Sequence, residues 1–561
     1  MAKTRILIVA GEAFPLAKTG GLGDAITGMA RALAQAGLPL AVLLPAYRGV
    51  RERLERVRLV AELPGLPGGD ARLIAGRCPQ SGLDFLLLEN DALYDRAGIY
   101  LDEQGREYAD SALRYAALAH AAARVAGGLP GVLHPTLVHA HDWHAGLVPL
   151  LLRAQGLHDV RSVMTIHNLA FQGRFPMECA ADLGIPERYR GSESVGAWGQ
   201  LNFLKAGIRY ADRVTTVSHT YAREIMTPAF GCGLDDLLRR RADDLLPIPN
   251  GIDNILWNPA RDPHLGTLRF SVRELANKAR CKAALQREFG LDVDAGVTLM
   301  AMGNRLTEQK MADVAAQALP DALERHPGLQ VAILGQGDHG LEQALQALAD
   351  RYPGRCAAHI GYDEAAAHRL HAGADILLHA SRFEPFGLTP LYAMRYGALP
   401  IGSRVGGMAD TIEDPGPRAP LSAMASANGL LFDGDSPAAM CEAITRAVHL
   451  RGHAMLWRTM QRNAMSADFG WRSAIGLYAS LYRSLADPDT HDAVPARAER
   501  AIGAAPPAAR QRSGGAMPAP ASARWRRPRS HSFSWKKKAT ACTVGSSRLS
   551  VSAAQRLRVT A

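Results

Sequence analysis

The chain of 561 residues is 47% apolar and 21% charged, with a formal net charge of +10, long enough for two or more domains with sizeable cores. Of its 64 basic and 54 acidic residues, 14 and 2 fall in 491–561, leaving 50 against 52 elsewhere, which excludes a nucleic-acid surface on the body. The short apolar run Ile6–Ala10 stops at a glycine, no later stretch reaches the roughly 18 apolar residues of a membrane span, and the seven scattered cysteines form no C-x-x-C pair, so a signal peptide, a disulfide framework and a zinc site are not expected and a reducing cytoplasm is.

Along the chain, Arg5–Ala10, Ala41–Leu44, Phe85–Leu88, Leu137–His139 and Val163–Ile166 read as buried strands separated by segments long enough for crossover helices. After a proline-bearing stretch around Pro247–Pro263 the alternation restarts with Val297–Met302, Val331–Leu334, Ile376–Leu378 and Leu399–Ile401. An α/β chain of two doubly wound parallel-sheet domains, 1–248 and 249–486, with a ligand cleft between them, is expected. The tail 487–561, rich in Ala, Pro, Ser and Arg, reads as disordered.

Candidate chemistry follows the predicted strands. Lys18-Thr19-Gly20-Gly21-Leu22-Gly23-Asp24 comes after the first strand and opens a helix with apolar Leu22, Ile26, Met29, Ala30 and Leu33, so glycine backbone, a helix N-terminus and Lys18 together suit anionic oxygens. It is neither G-x-G-x-x-G nor a Walker loop. Arg305 and Lys310, after the first strand of the second half, offer a planar fork and a compact charge for phosphate. Ser381-Arg382-Phe383-Glu384-Pro385-Phe386-Gly387-Leu388-Thr389 places a carboxylate beside a glycine turn that can open a helix. Anion donors with one carboxylate suit a nucleotide sugar.

These segments, with His139-Ala140-His141-Asp142-Trp143-His144, Thr165-Ile166-His167-Asn168-Leu169-Ala170-Phe171-Gln172-Gly173 and Asn250-Gly251-Ile252-Asp253, resemble bacterial glycogen synthases and plant starch synthases in order and spacing from about residue 4 to about residue 485. The resemblance implies a GT-B fold, two Rossmann-like domains facing a deep cleft, and a retaining transfer of glucose from ADP-glucose to the non-reducing end of an α-1,4-glucan such as glycogen, without a metal or other cofactor. It implies that Lys18, Gly20 and Gly21 contact the donor, that Arg305 and Lys310 neutralise the leaving diphosphate, and that Glu384 binds glucose hydroxyls. Gly387, Leu388 and Thr389 would lie near the distal phosphate, Tyr362 beside adenine, and Tyr100, Asp142, Asn168 and Asn250 at glucose or acceptor positions. His167 matches a histidine facing the reacting sugar, with a positioning and electrostatic role in place of nucleophilic attack.

The three histidines 139, 141 and 144 have a spacing that could hold a metal, which the family reading does not need. Four positions depart from the common pattern: Asn304 stands where serine is usual, Met311 for glycine, Phe386 for cysteine and Pro390 for glutamine. Two alternatives follow, a related glucosyltransferase using UDP-glucose or another acceptor, and a catalytically weak glucan-binding paralogue.

Overall fold

Every side chain of β1 (Ile6–Val9) is buried, which a strand achieves in a sheet covered on both faces. In this computed structural model, which describes residues 4–486, β1 is the central strand of the first lobe. The lobe continues with β2 (Leu40–Pro45), β3 (Glu55–Leu66), β4 (Gly69–Arg77), β5 (Asp84–Glu89), β6 (Leu137–His141) and β7 (Arg161–Ile166). A small antiparallel sheet of β8 (Arg174–Pro176), β9 (Gly196–Ala197) and β10 (Gln200–Asn202) precedes β11 (Arg213–Thr216) and β12 (Leu245–Pro247). The main sheet has the order β12-β11-β7-β6-β1-β2-β5-β4-β3, parallel except for β3 and β4, which add an antiparallel hairpin at one edge.

The second lobe holds β13 (Thr298–Gly303), β14 (Leu329–Gly335), β15 (Cys356–Ile360), β16 (Ile376–His379), β17 (Leu399–Ser403) and β18 (Leu430–Phe432). They pair throughout in parallel in the order β15-β14-β13-β16-β17-β18. Numbered within the lobe this is 3-2-1-4-5-6, the order of a dinucleotide-type sheet whose direction of winding reverses between its first and fourth strands. The first lobe reverses in the same way between β1 and β6.

The expected strands are present with ends shifted by a residue or two, as boundaries fray. The edge hairpin β3–β4 was not expected, because its apolar runs, Leu59–Ala61 and Leu73–Ala75, are only three residues long and lie between charged residues, with β3 largely exposed. One domain limit is corrected: the last helix, Arg472–Ala486, assigned from sequence to the second domain, returns to the first. Its Tyr482 reaches β6 through His139, and it packs on the helix Gly21–Gln35. The reading of 487–561 as disordered lies outside the described residues.

Gly28 makes that return possible. A Cβ there would overlap the indole nitrogen of Trp471, the residue that leads into the last helix. Gly28→Ala is therefore expected to destabilise the chain by about 1–3 kcal/mol through overpacking, read as a lowered denaturant midpoint.

Candidate active site

In open parallel sheets ligands bind outside the carboxyl ends of the strands, where the winding reverses. Lys18–Gly21 and Glu12 follow β1, Asp142 follows β6, and His167 follows the neighbouring β7. Arg305 and Lys310 follow β13, and Glu384 follows β16. The candidate residues thus gather at both reversal points. The two lobes meet there: a Cβ on Gly21 would lie 3.1 Å from Leu388 Cδ1, Ser218 Oγ donates to the Pro385 carbonyl at 2.8 Å, and Gly406 N donates to Glu224 at 3.0 Å.

In the second lobe Lys310 Nζ forms an ion pair with Glu384, whose Oε2 also accepts from His379 Nε2 at 3.0 Å and Ser381 Oγ at 3.1 Å. Burial opposes ionisation of Glu384, but Lys310 and His379 overcome it and hold the carboxyl well below its usual range. Arg382 stitches the two loops together, pairing with both oxygens of Asp313 at 2.9 and 2.7 Å while its amide donates to Gln309 O at 2.9 Å. Gly387, with φ +89°, makes the left-handed turn into the helix Leu388–Arg395, where a side chain would strain the backbone. That turn leaves Leu388 and Thr389 in the first helical turn, the position whose amides lack intrahelical acceptors. Arg305 is exposed and, among the described residues, has no carboxylate partner within ion-pair distance.

In the first lobe Lys18 pairs across the cleft with Glu364 at 3.1 Å and within its own lobe with Asp24 at 3.1 Å. Burial works against its charge, and the two carboxylates more than restore it, holding Lys18 above its usual range; burial carries Asp24 up to about 6. The glycine loop itself hangs on Glu12, whose carboxylate accepts from Thr19 N at 2.8 Å, Thr19 Oγ1 at 2.7 Å and the Tyr100 hydroxyl at 2.8 Å. Tyr362 is 64% exposed and hydrogen-bonded to Glu364. A cavity of about 360 Å³ lies between Lys18, Tyr47, Arg53, Arg96 and Tyr362. It touches neither Glu384 nor His167.

Asp142 does not project as a free acid. With φ +53°, it turns its Oδ1 onto the amides of His167 at 2.7 Å and Asn168 at 3.2 Å. Because the peptide between those residues is planar and trans, a 168 amide directed at Asp142 turns the His167 carbonyl to the opposite side. The His167 ring bonds His141, Nε2 to Nδ1, at 3.0 Å, and burial pulls its basicity down to about 3. His139 and His144 are also brought to about 3 by burial. The three histidines noted for spacing have separate partners: His139 bonds Tyr482 and Thr165, His141 bonds His167, and His144 stacks on Tyr100 at 4.9 Å. Asn250 is half-buried after β12, beside Gly251, which abuts the backbone of Trp471.

With this geometry in view, residues 5–240 match the family described as starch synthase catalytic domain and residues 288–464 that described as glycosyl transferases group 1. A glycogen synthase of Bordetella petrii is 61% identical over 521 residues, covering 93% of this chain and 100% of that protein. The chain belongs to the glycogen synthase family. A second member, from Ralstonia nicotianae, is 53% identical over 86% of this chain and 88% of its own length. The catalytic domain of starch synthase IV from Arabidopsis thaliana, bound to ADP and acarbose, superposes with a TM-score of 0.78 at 27% identity, over 87% of this chain and 100% of that one. The fold is GT-B, and the family's members are glucosyltransferases.

Sequence reasoning missed Glu12, Glu364 and His379. Glu364 and His379 border the quoted segments, and Glu12 follows a strand end directly, where a carboxylate beside glycine signals a loop clamp. Asp142 supplies a test. Burial keeps it uncharged up to about 7, while its two amide donors are best met by the carboxylate form. Turnover is expected to rise with pH along a limb centred near 7. Asp142→Asn, which keeps the acceptor oxygen and cannot ionise, is expected to flatten that limb and leave the contribution of Asp24 near 6, read from initial rates across a pH series.

Proposed function

We propose that the cleft transfers glucose from ADP-glucose to the non-reducing end of an α-1,4-glucan with retention at the anomeric carbon, elongating glycogen. The observation that carries this reading is that the loops of the two reversal points face each other, Gly21 against Leu388, with Lys18 on one side and the Lys310–Glu384 pair on the other, the second sheet having the strand order of a nucleotide-binding sheet. The binding of ADP by the plant relative supports an adenine nucleotide as donor.

Lys310 and Arg305 meet the diphosphate, with Arg305 already free of a carboxylate and Lys310 moving from Glu384 to phosphate. Their attraction strengthens as negative charge develops on the departing ADP, so it acts on the rate and not only on binding. Gly387, Leu388 and Thr389 place helix-terminal amides toward the distal phosphate. Glu384, still held by His379 and Ser381, accepts sugar hydroxyls, and Lys18, Gly20 and Gly21 close over the donor from the other lobe, with Tyr362 along the base. His167 is neutral, so it orients the sugar and its carbonyl stabilises positive charge at the anomeric carbon. Tyr100, Asn168, Asn250 and the Asp142-supported loop border the glucose and acceptor. With three cations available to the leaving group, this scheme needs no metal. The six described cysteines are all unpaired, as in a reducing cytoplasm, and no described helix is long and apolar enough to cross a membrane.

Labelled glucose is expected to pass to glycogen from ADP-glucose faster than from UDP-glucose; equal or faster transfer from UDP-glucose overturns the donor assignment. Lys310→Ala is expected to lower turnover by about 10²- to 10³-fold, the usual scale for a lost charge-stabilising donor. Undiminished turnover removes Lys310 from the reaction.

A further inference from the structure

The last helix ends directly beneath the loop that carries His167. Tyr482 is fully buried there, and its hydroxyl lies 2.8 Å from His139 Nδ1, while His139 Nε2 lies 2.6 Å from Thr165 Oγ1. Thr165 in turn lies 2.6 Å from Thr215 Oγ1, and its carbonyl accepts the Asp142 amide at 3.0 Å. The rings of His139 and His141 stand 4.0 Å apart, and His141 bonds His167. A residue contributed after the whole second lobe therefore touches, through two histidines and a threonine, both supports of the His167 loop.

We infer that Tyr482 is a positioning residue for the glucosyl transfer, fixing the tautomer and placement of His139 and, through the ring contact of His139 with His141, the placement of His167. This rests on the placement of His167 at the reacting sugar.

Proton accounting gives the direction. Among the described residues the Tyr482 hydroxyl has one hydrogen-bond partner, His139 Nδ1, and a buried hydroxyl proton needs an acceptor. Tyr482 therefore donates, and His139 is the Nε2–H tautomer, which donates to Thr165. His141 Nε2 is buried without a partner. An orphaned N–H is rarer than an unfilled lone pair, so His141 carries its proton on Nδ1 and donates it to His167 Nε2. That leaves Nδ1–H of His167 as its donor for a sugar hydroxyl. A slack His139 would let the His141 ring rotate and scramble this arrangement.

Tyr482→Phe removes one hydroxyl and keeps the ring. It is expected to lower kcat about five- to tenfold, the size of one neutral hydrogen bond, with donor and acceptor KM little changed and the unfolding midpoint close to wild type. In a His167→Ala background the same change is expected to have no further effect on kcat, because the route ends at His167. His139→Gln, which can bond both Tyr482 and Thr165 but offers no ring to His141, is expected to show the same loss and the same masking, and serves if Tyr482→Phe does not fold. Ser484→Ala, which removes a bond internal to the last helix, is expected to leave kcat unchanged. Unchanged kcat in Tyr482→Phe, or an equal loss in both backgrounds, overturns the inference while leaving His167 in place. A fully active His167→Ala variant overturns the placement of His167 itself, and the inference with it.

Discussion

A parallel sheet that winds outward in both directions from its first strand leaves one crevice where neighbouring loops diverge. Everything at this site depends on that constraint being met twice, face to face. In the first lobe the crevice lies between β1 and β6, in the second between β13 and β16. The loops leaving those four strands carry Glu12 and Lys18, Asp142, Lys310, and Glu384. The crossing ion pair of Lys18 and Glu364, separated by 346 positions, joins the two lobes beside these loops.

Within that geometry the electrostatics are arranged for exchange. Lys18 and Lys310 are each matched by a carboxylate, so their burial does not leave an isolated charge. In the proposed transfer a diphosphate would replace one anionic partner with another, and Glu384 would keep the two donors His379 and Ser381. The histidines are treated oppositely: burial leaves His139, His144 and His167 near 3, so they act at neutral pH through fixed dipoles and tautomers. An imidazolium beside the anomeric carbon would oppose the positive charge of an oxocarbenium-like transition state; a neutral ring and a carbonyl do not.

Much of this was legible in sequence because it is local. Runs such as Ile6–Val9 and Thr298–Gly303 are buried on both faces, and a strand of that kind announces itself as an unbroken apolar stretch. The glycine turn at Gly387 and the carboxylate of Glu384 were likewise visible as short patterns. The remainder was hidden for identifiable reasons. The β3–β4 hairpin breaks its apolar residues into short runs with charged ones, so no strand-length run stands out. The role of Asp142 depends on a positive φ that no residue type would have suggested, aspartate being only tolerant of it. The return of the last helix depends on a tyrosine meeting a histidine 343 positions away, a pairing that periodicity does not encode.

Three of the four departures from the family pattern lie where the backbone can absorb them; the fourth, Asn304, beside Arg305, has both side-chain amide atoms buried with no hydrogen-bond partner among the described residues. Met311 occupies a left-handed conformation, φ +52°, at the start of the helix Ala312–Arg325, where glycine would be unstrained. Its side chain is fully buried and lies 3.6 Å from Ser403 Oγ, and burying a methionine is worth about 1.5–3 kcal/mol, enough to offset the roughly 1–2 kcal/mol of a left-handed residue. Pro390 falls in the first turn of its helix, where an amide has no intrahelical acceptor to lose, and Phe386 turns into the core, 5% exposed. All three changes therefore alter how the phosphate-side loops are propped from behind. The ion pair of Lys310 with Glu384 and the left-handed turn at Gly387 are formed alongside these three changes, so the substitutions leave the charged pair and the helix start of the proposed donor side intact.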